Sequence, residues 1–299
     1  MHITVNDYAD TAIRNLDDPA QDDWSDPCVG ALQEARSLGL IKAGADISIQ
    51  SNIPQGAGLS SSAALIVAVL KAAWTAADGT QSDADIALAA RRVENDYIGV
   101  PCGIMDQMAV ALATRGTAMA LDTKTLQYSL IPLPKTHELV VLHSGVTRKL
   151  TEGRYAVRKE ECDIAKAHFR TDDLCLLDPD LIEQSDCAEP AKSRALHCAT
   201  EHRRVLAAAE ALQASDMDRL GRLMNESHVS MRDLFDMSLP AIDALVADAV
   251  KFGAMGARLT GGGFGGCIVA LLGRGRRDDW LARITAAHPK SRFIDAASA

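Results

Sequence analysis

The stretch PQGAGLSSSAALIVAVLKAAW, residues 54–74, sets a glycine-rich turn and three consecutive serines ahead of a long run of Ala, Leu, Ile and Val. Glycines at 56 and 58 permit positive φ and a close approach of backbone to ligand. The helix predicted to follow opens with unpaired N–H groups and the positive end of its dipole. Together these make a cradle for an anion. The hydroxyls of Ser60, Ser61 and Ser62 add donors, and one of them could serve Mg2+ as an oxygen ligand. The plainer reading is a Ser-capped turn that starts a buried helix. Three serines in a row exceed what a cap requires.

Two familiar phosphate loops are absent from this stretch. GxxxxGK[ST] needs a lysine after its second glycine, and GxGxxG fails at Ser61. Asp78 follows the helix directly instead of ending a second strand, so a dinucleotide fold is disfavoured.

Around this core, strand-like and helical segments alternate. DISIQSNIP (46–54) reads as a strand and SDADIALAARRVENDYIG (82–99) as a helix capped by Ser82 or Asp83. A further helix starts near Asp106. TAMALDTKTLQYSLIPLP and HELVVLHSG give short strands, and the prolines at 132 and 134 mark a boundary between domains of residues 1–133 and 134–299. Beyond it, RYAVRKEECDIAKAHF, SRALHCATEHRRVLAAAEAL, MDRLGRLMNESHVSMRDLF and AIDALVADAVKFGA carry helical apolar spacing. GARLT and CIVALLG form two strands around TGGGFGG. The class expected is α+β, in two domains.

With 299 residues, 47% hydrophobic and 24% charged, the chain has ample material for a soluble core. No run of about 18 apolar residues and no leader-like N-terminus appears, so a cytoplasmic location and no membrane partner are expected. The formal charge of −9 without a basic run argues against nucleic acid. Seven scattered cysteines, never in CxxC, suit a reducing compartment; Cys187, His197, Cys198 and His202 match no usual metal spacing.

Two carboxylates stand out. Glu94, with Asn95 and Asp96, lies near a helix end, where the dipole disfavours negative charge, so a cation, a metal included, would compensate; pairing with Arg91 or Arg92 is the plainer alternative. Asp106, among the apolar residues of PCGIMDQM, is placed either as an N-cap or as the base for a hydroxyl beside a transferred phosphoryl group.

NIPQGAGLSSSAAL and LTGGGFGGC resemble the second and third motifs of the GHMP small-molecule kinases, which include homoserine, mevalonate and phosphomevalonate kinases. VENDYIGVPCGIMDQM, RYAVRKEEC and SHVSMRDLFDMSLPAID narrow the resemblance, in order and spacing, to the galactokinase family, from about Trp24 to the C-terminus. The resemblance implies a two-domain fold with the active site between the domains. It implies ATP and Mg2+ as cofactor and metal, galactose as substrate, and transfer to the sugar C1 hydroxyl in galactose metabolism, with a monomer as the expected state. By position, Gln55, Gly56, Ala57, Gly58, Leu59, Ser60 and Ser61 would wrap the ATP phosphates, and Ser62 and Glu94 would hold Mg2+. Asp106 would be catalytic, Gly103 and Tyr155 would line the sugar pocket with it, Trp24 would flank the adenine, and Gly261 to Gly266 would close the site.

One departure stands against this. Galactokinases open with a GRVNLIGEHTDY-type motif, which supplies an arginine and sugar-holding groups, and residues 1–23 do not resemble it. A truncated N-terminal domain lacking its first strands, from a shortened gene or a start codon assigned too far downstream, is therefore expected, with feeble activity. A catalytically silent binder of sugar or nucleotide, or a GHMP kinase acting on another alcohol, are the alternatives.

Overall fold

The computed structural model of the protein describes residues 1–5, 10–53, 59–146 and 153–299, the side chain of Tyr155 excepted. Helices and strands divide between two units that part between Leu130 and Ile131, except that Arg115–Ala118 goes with the second. No helix among the described residues is long and apolar enough to cross a membrane.

In the first unit, β1 (His2–Val5) pairs antiparallel with β2 (Asp10–Ile13). Next come α1 (Asp26–Ser37) and β3 (Ile47–Ile49), the latter parallel to β1. The strand expected over 46–54 is thus three residues long. Buried Arg14 holds the turn into α1: its guanidinium lies 3.3 Å from Asp18, 3.2 Å from Asp23 and 3.1 Å from Asp26. Four such short elements would not bury enough apolar surface alone. They are completed by α2 (Ser61–Ala76), whose Ile66, Val67, Leu70 and Trp74 enter one core with Val29 and Leu32 of α1. Added to that core are α3 (Asp83–Arg92) and α4 (Met105–Leu112). Of the two caps considered for α3, Ser82 is the one used, in a reciprocal box with Asp85.

The helix expected to run unbroken to Gly99 changes character at Val93. Residues Val93–Ile98 form a π-helical turn that ends when Gly99, with φ 80°, returns a bond from Val100 N–H to the Glu94 carbonyl at 2.9 Å. A two-stranded ribbon follows, β4 (Thr117–Leu121) with β5 (Tyr128–Pro132).

The second unit is built on β6 (His137–His143), with α5 (Arg154–Phe169), α6 (Pro179–Gln184), α7 (Ala191–Gln213), α8 (Met217–Asp233) and α9 (Pro240–Lys251) after it. The chain then runs through β7 (Gly256–Leu259), β8 (Cys267–Gly273), α10 (Arg277–Ala287) and β9 (Arg292–Ala297). The sheet order is β7-β8-β6-β9, antiparallel throughout. Alternate residues Val140 and Leu142 of β6 enter a core with Ile242 and Leu245 of α9 and Trp280 and Ile284 of α10. Helices α5 to α7 share a separate cluster around Ala165, Ile182, Ala195 and Ala199.

β7 is an edge strand, and α8 covers it. Asn225 accepts from the Ala257 N–H at 2.9 Å and donates to the Met255 carbonyl at 3.4 Å, and His228 Nδ1 accepts from the Leu259 N–H at 3.4 Å. Side chains of a helix thereby take the bonds that an open sheet edge would offer to another chain.

His197 of α7 is buried against Phe235, with ring centroids 4.5 Å apart, and its Nδ1 is 2.9 Å from Ser230 Oγ. Burial depresses its pKa to about 4. The neutral ring therefore stabilises the fold fully above the unfolded value near 6.5, and that stability is lost as pH falls from about 6.5 through 4, by up to about 3 kcal/mol. Urea unfolding at pH 7 and pH 4 checks this: His197→Gln should lose less stability over that interval than the unaltered chain, and an equal loss would clear His197.

Candidate active site

The mouth of α2 is not capped in the manner a Ser-rich turn suggests. Ser60 occupies the N-cap position with φ 56° and makes no side-chain capping bond, and no acidic residue stands in the first turn. A non-glycine residue in the left-handed region costs about 1 kcal/mol. The hydroxyls that would otherwise be spent on a cap are thus left at the helix mouth beside Leu59 and Ser61. Gln55, Gly56, Ala57 and Gly58 lie outside the described residues.

Ser62, in the first turn of α2, reaches across 32 positions of sequence to Glu94, its Oγ donating to Glu94 Oε1 at 2.7 Å. The π-helical turn delivers Glu94 to this point with its side chain buried. The alternative of a solvated helix end paired with an arginine is overturned: Arg92 turns away to Glu34, at 2.6 Å. Glu94 is buried and makes no ion pair among the described residues. Such a group calls for a cation. No cluster of three or more His, Cys, Asp or Glu could hold a metal among the described residues. A hard cation here would take one carboxylate, one hydroxyl and oxygens from water or phosphate, a set that suits Mg2+.

Asp106 is not an N-cap. Ile104 fills that position, and Asp106 stands half-buried in the first turn of α4. Its carboxylate makes no hydrogen bond or ion pair among the described residues. Gly103 just before it is exposed, and a Cβ there would meet nothing within 4 Å. Neither backbone nor packing demands glycine at 103, which leaves room for a ligand. The loop between them and Glu94 is pinned by Asn95, whose Oδ1 accepts from Cys102 N–H at 2.8 Å. The side chain of Tyr155 lies outside the described residues, and Trp24 packs half-buried against the first core.

The second glycine stretch, residues 261–266, links β7 to β8 with Phe264 buried at its centre. Gly263 has φ 80°, and a Cβ there would stand 2.8 Å from the Met237 carbonyl, so glycine is required on both counts. The Arg154 guanidinium lies 5.4 Å from the Phe264 ring centroid.

Sequence reasoning missed Gln107 and Cys102. Gln107 is 1% exposed, donates from Nε2 to Glu94 Oε2, and lies 3.4 Å from Cys102 Sγ. Its signal was available: with Ile104, Met108 and Ala111 it occupies the buried stripe of α4, where an amide needs a partner.

Known proteins share the family and fold of this chain. A family model described as the GHMP kinases N terminal domain matches residues 27–114, and one described as GHMP kinases C terminal matches residues 208–290. Lactococcus lactis galactokinase, in a crystal structure with galactose, superposes with a TM-score of 0.91 at 27% identity, over 99% of this chain and 82% of that one. Methanococcus jannaschii mevalonate kinase matches with a TM-score of 0.72 at 19% identity, over 100% of this chain and 84% of its own. Streptococcus pneumoniae phosphomevalonate kinase, bound to phosphomevalonate and AMPPNP, matches at 0.69 and 14% identity, over 99% and 86%. The last two speak for the fold alone.

Proposed function

We infer the activity of this chain from the family to which it belongs: it is a GHMP kinase, the two family models together matching more than half of its 299 residues, and hence a small-molecule kinase. The reaction we assign is ATP-dependent phosphorylation of galactose at its C1 hydroxyl. Support for the sugar as acceptor is the likeness to a galactokinase crystallised with galactose along nearly the whole chain. Support for the chemistry is one observation above all, the buried Glu94 carboxylate that meets Ser62 and has no ion pair among the described residues.

On this reading residues 1–133 and 134–299 are the two domains, and backbone amides from Gln55 to Ser61 hold the ATP phosphates at the start of α2. Ser62 and Glu94 would hold Mg2+, which when bound would supply positive charge against the phosphates. Asp106 orients the sugar hydroxyl and takes its proton as the oxygen bonds to the γ-phosphorus and the bond to ADP breaks. Gly103 and Tyr155 line the sugar pocket. No covalent enzyme intermediate is needed.

The test is ADP release from the purified chain with MgATP and, in turn, galactose, N-acetylgalactosamine, homoserine or mevalonate. Galactose should exceed the others in kcat/KM by about tenfold or more. Preference for another alcohol would reassign the substrate. ATP binding without ADP release from any of them would leave a silent member of the same fold.

A further inference from the structure

We propose that Gln107 is a positioning residue for the divalent cation, fixing the orientation in which Glu94 presents its carboxylate; this rests on the reading of Ser62 and Glu94 as the cation's ligands. Both oxygens of Glu94 accept hydrogen bonds, Oε1 from one donor and Oε2 from two. Oε1 accepts from Ser62 Oγ at 2.7 Å, and Oε2 accepts from Gln107 Nε2 with the Cys102 thiol 3.4 Å away. An ionised carboxylate has about four acceptor positions, so these donors fix its plane while leaving positions for an ion.

The amide is held in one sense only. Turning it over would set its carbonyl against the carboxylate, acceptor against acceptor. In the orientation observed, Gln107 Oε1 is buried with no partner among the described residues. Leaving a buried carbonyl unpaired is costly, and an apolar side chain would fill the same space without that cost. The charge-assisted bond to Glu94 is what the amide supplies that a Leu or Met could not. Gln107 also adjoins Asp106 on α4. Its side chain thereby ties the π-helical turn that carries Glu94 to the helix that carries Asp106.

The experiment uses Mn2+ as the probe, with binding to the full chain and a non-hydrolysable ATP analogue followed by the loss of the free-ion electron paramagnetic resonance signal. Gln107→Met, which keeps volume and removes the donor, should weaken Mn2+ binding about ten- to a hundredfold, as removal of a group that orients a metal ligand does. The same variant should need more Mg2+ for half activity while KM for the sugar stays put. Glu94→Gln should weaken Mn2+ at least as much, and Ser62→Ala more mildly.

If Glu94→Gln loses Mn2+ affinity and a folded Gln107→Met stays within about twofold of the unaltered chain, the inference fails and the metal reading stands. If Glu94→Gln binds Mn2+ normally, the metal reading fails and takes the inference with it. Should Gln107→Met not fold, Gln107→Asn keeps an amide one methylene short of Glu94 and carries the same expectation; normal Mn2+ binding by it, or failure of both variants to fold, assigns Gln107 to the scaffold instead.

Discussion

Asp106→Asn should lower turnover about a hundredfold or more, with ATP affinity nearly unchanged, the scale on which removal of a general base is felt. The expectation comes from what surrounds the carboxylate. Asp106 is half-buried in the first turn of α4, and its carboxylate has no hydrogen bond or ion pair among the described residues. Its lone pairs are not spent on capping, since Ile104 holds that place. Asparagine keeps size and polarity but cannot take a proton from a sugar hydroxyl at neutral pH. Steady-state ADP release at saturating galactose and ATP gives turnover, and a nucleotide titration gives affinity. Near-normal turnover would remove Asp106 from the mechanism; equal losses in turnover and nucleotide affinity would point to a disturbed α4.

The second large effect falls on stability, at Gly256. A Cβ there would stand 2.2 Å from the Gly221 carbonyl oxygen and 2.7 Å from its Cα, and a Cβ on Gly221 would meet the Met255 carbonyl at 2.6 Å. These are backbone atoms, unable to swing aside as a side chain would. Gly256→Ala must therefore lift α8 from β7 and stretch the bonds that Asn225 and His228 make to the strand edge. Overpacking of this kind costs about 3 kcal/mol, which at this chain length corresponds to a fall of about 5 °C in Tm. Thermal unfolding decides it. A Tm unmoved by Gly256→Ala would mean that the helix can sit further from the sheet at no cost.

Much of the architecture is legible because its signals are local. The apolar run after the serines becomes α2, Ser82 caps α3, and the flanks of TGGGFGG become β7 and β8. The helix α1 went unread although Asp26 and Pro27 open it, because small residues, Cys28, Gly30, Ala31 and Ala35, make up most of its buried face beside Val29 and Leu32 and blur the stripe. The short strands β1 and β2 hold only four residues each, and the sheet they form is completed by β3, more than forty residues on from β1. In the site, the residue types pointed to Glu94 and Asp106, but what they touch was hidden. Arg92 is drawn off by Glu34 of α1, and the role of Gln107 depends on a carboxylate thirteen positions earlier.

The π-helical turn makes chain length itself a carrier of information. Such a turn accommodates one residue more than an α-helix would, and in an α-helix each residue advances the direction of its side chain by about 100°. Val93 and Tyr97 on this turn press against α1, where a Cβ on Gly30 would lie 2.7 Å from Val93 Cγ1 and 2.6 Å from Tyr97 Cδ1. Glu94 meanwhile faces Ser62 and Gln107. A deletion of one residue between Asn95 and Ile98 would restore regular winding and set these two obligations out of phase, so that Tyr97 could keep its seat only if Glu94 lost its own. Where a substitution in this segment removes one contact, a change of count by one rotates the site away from its support.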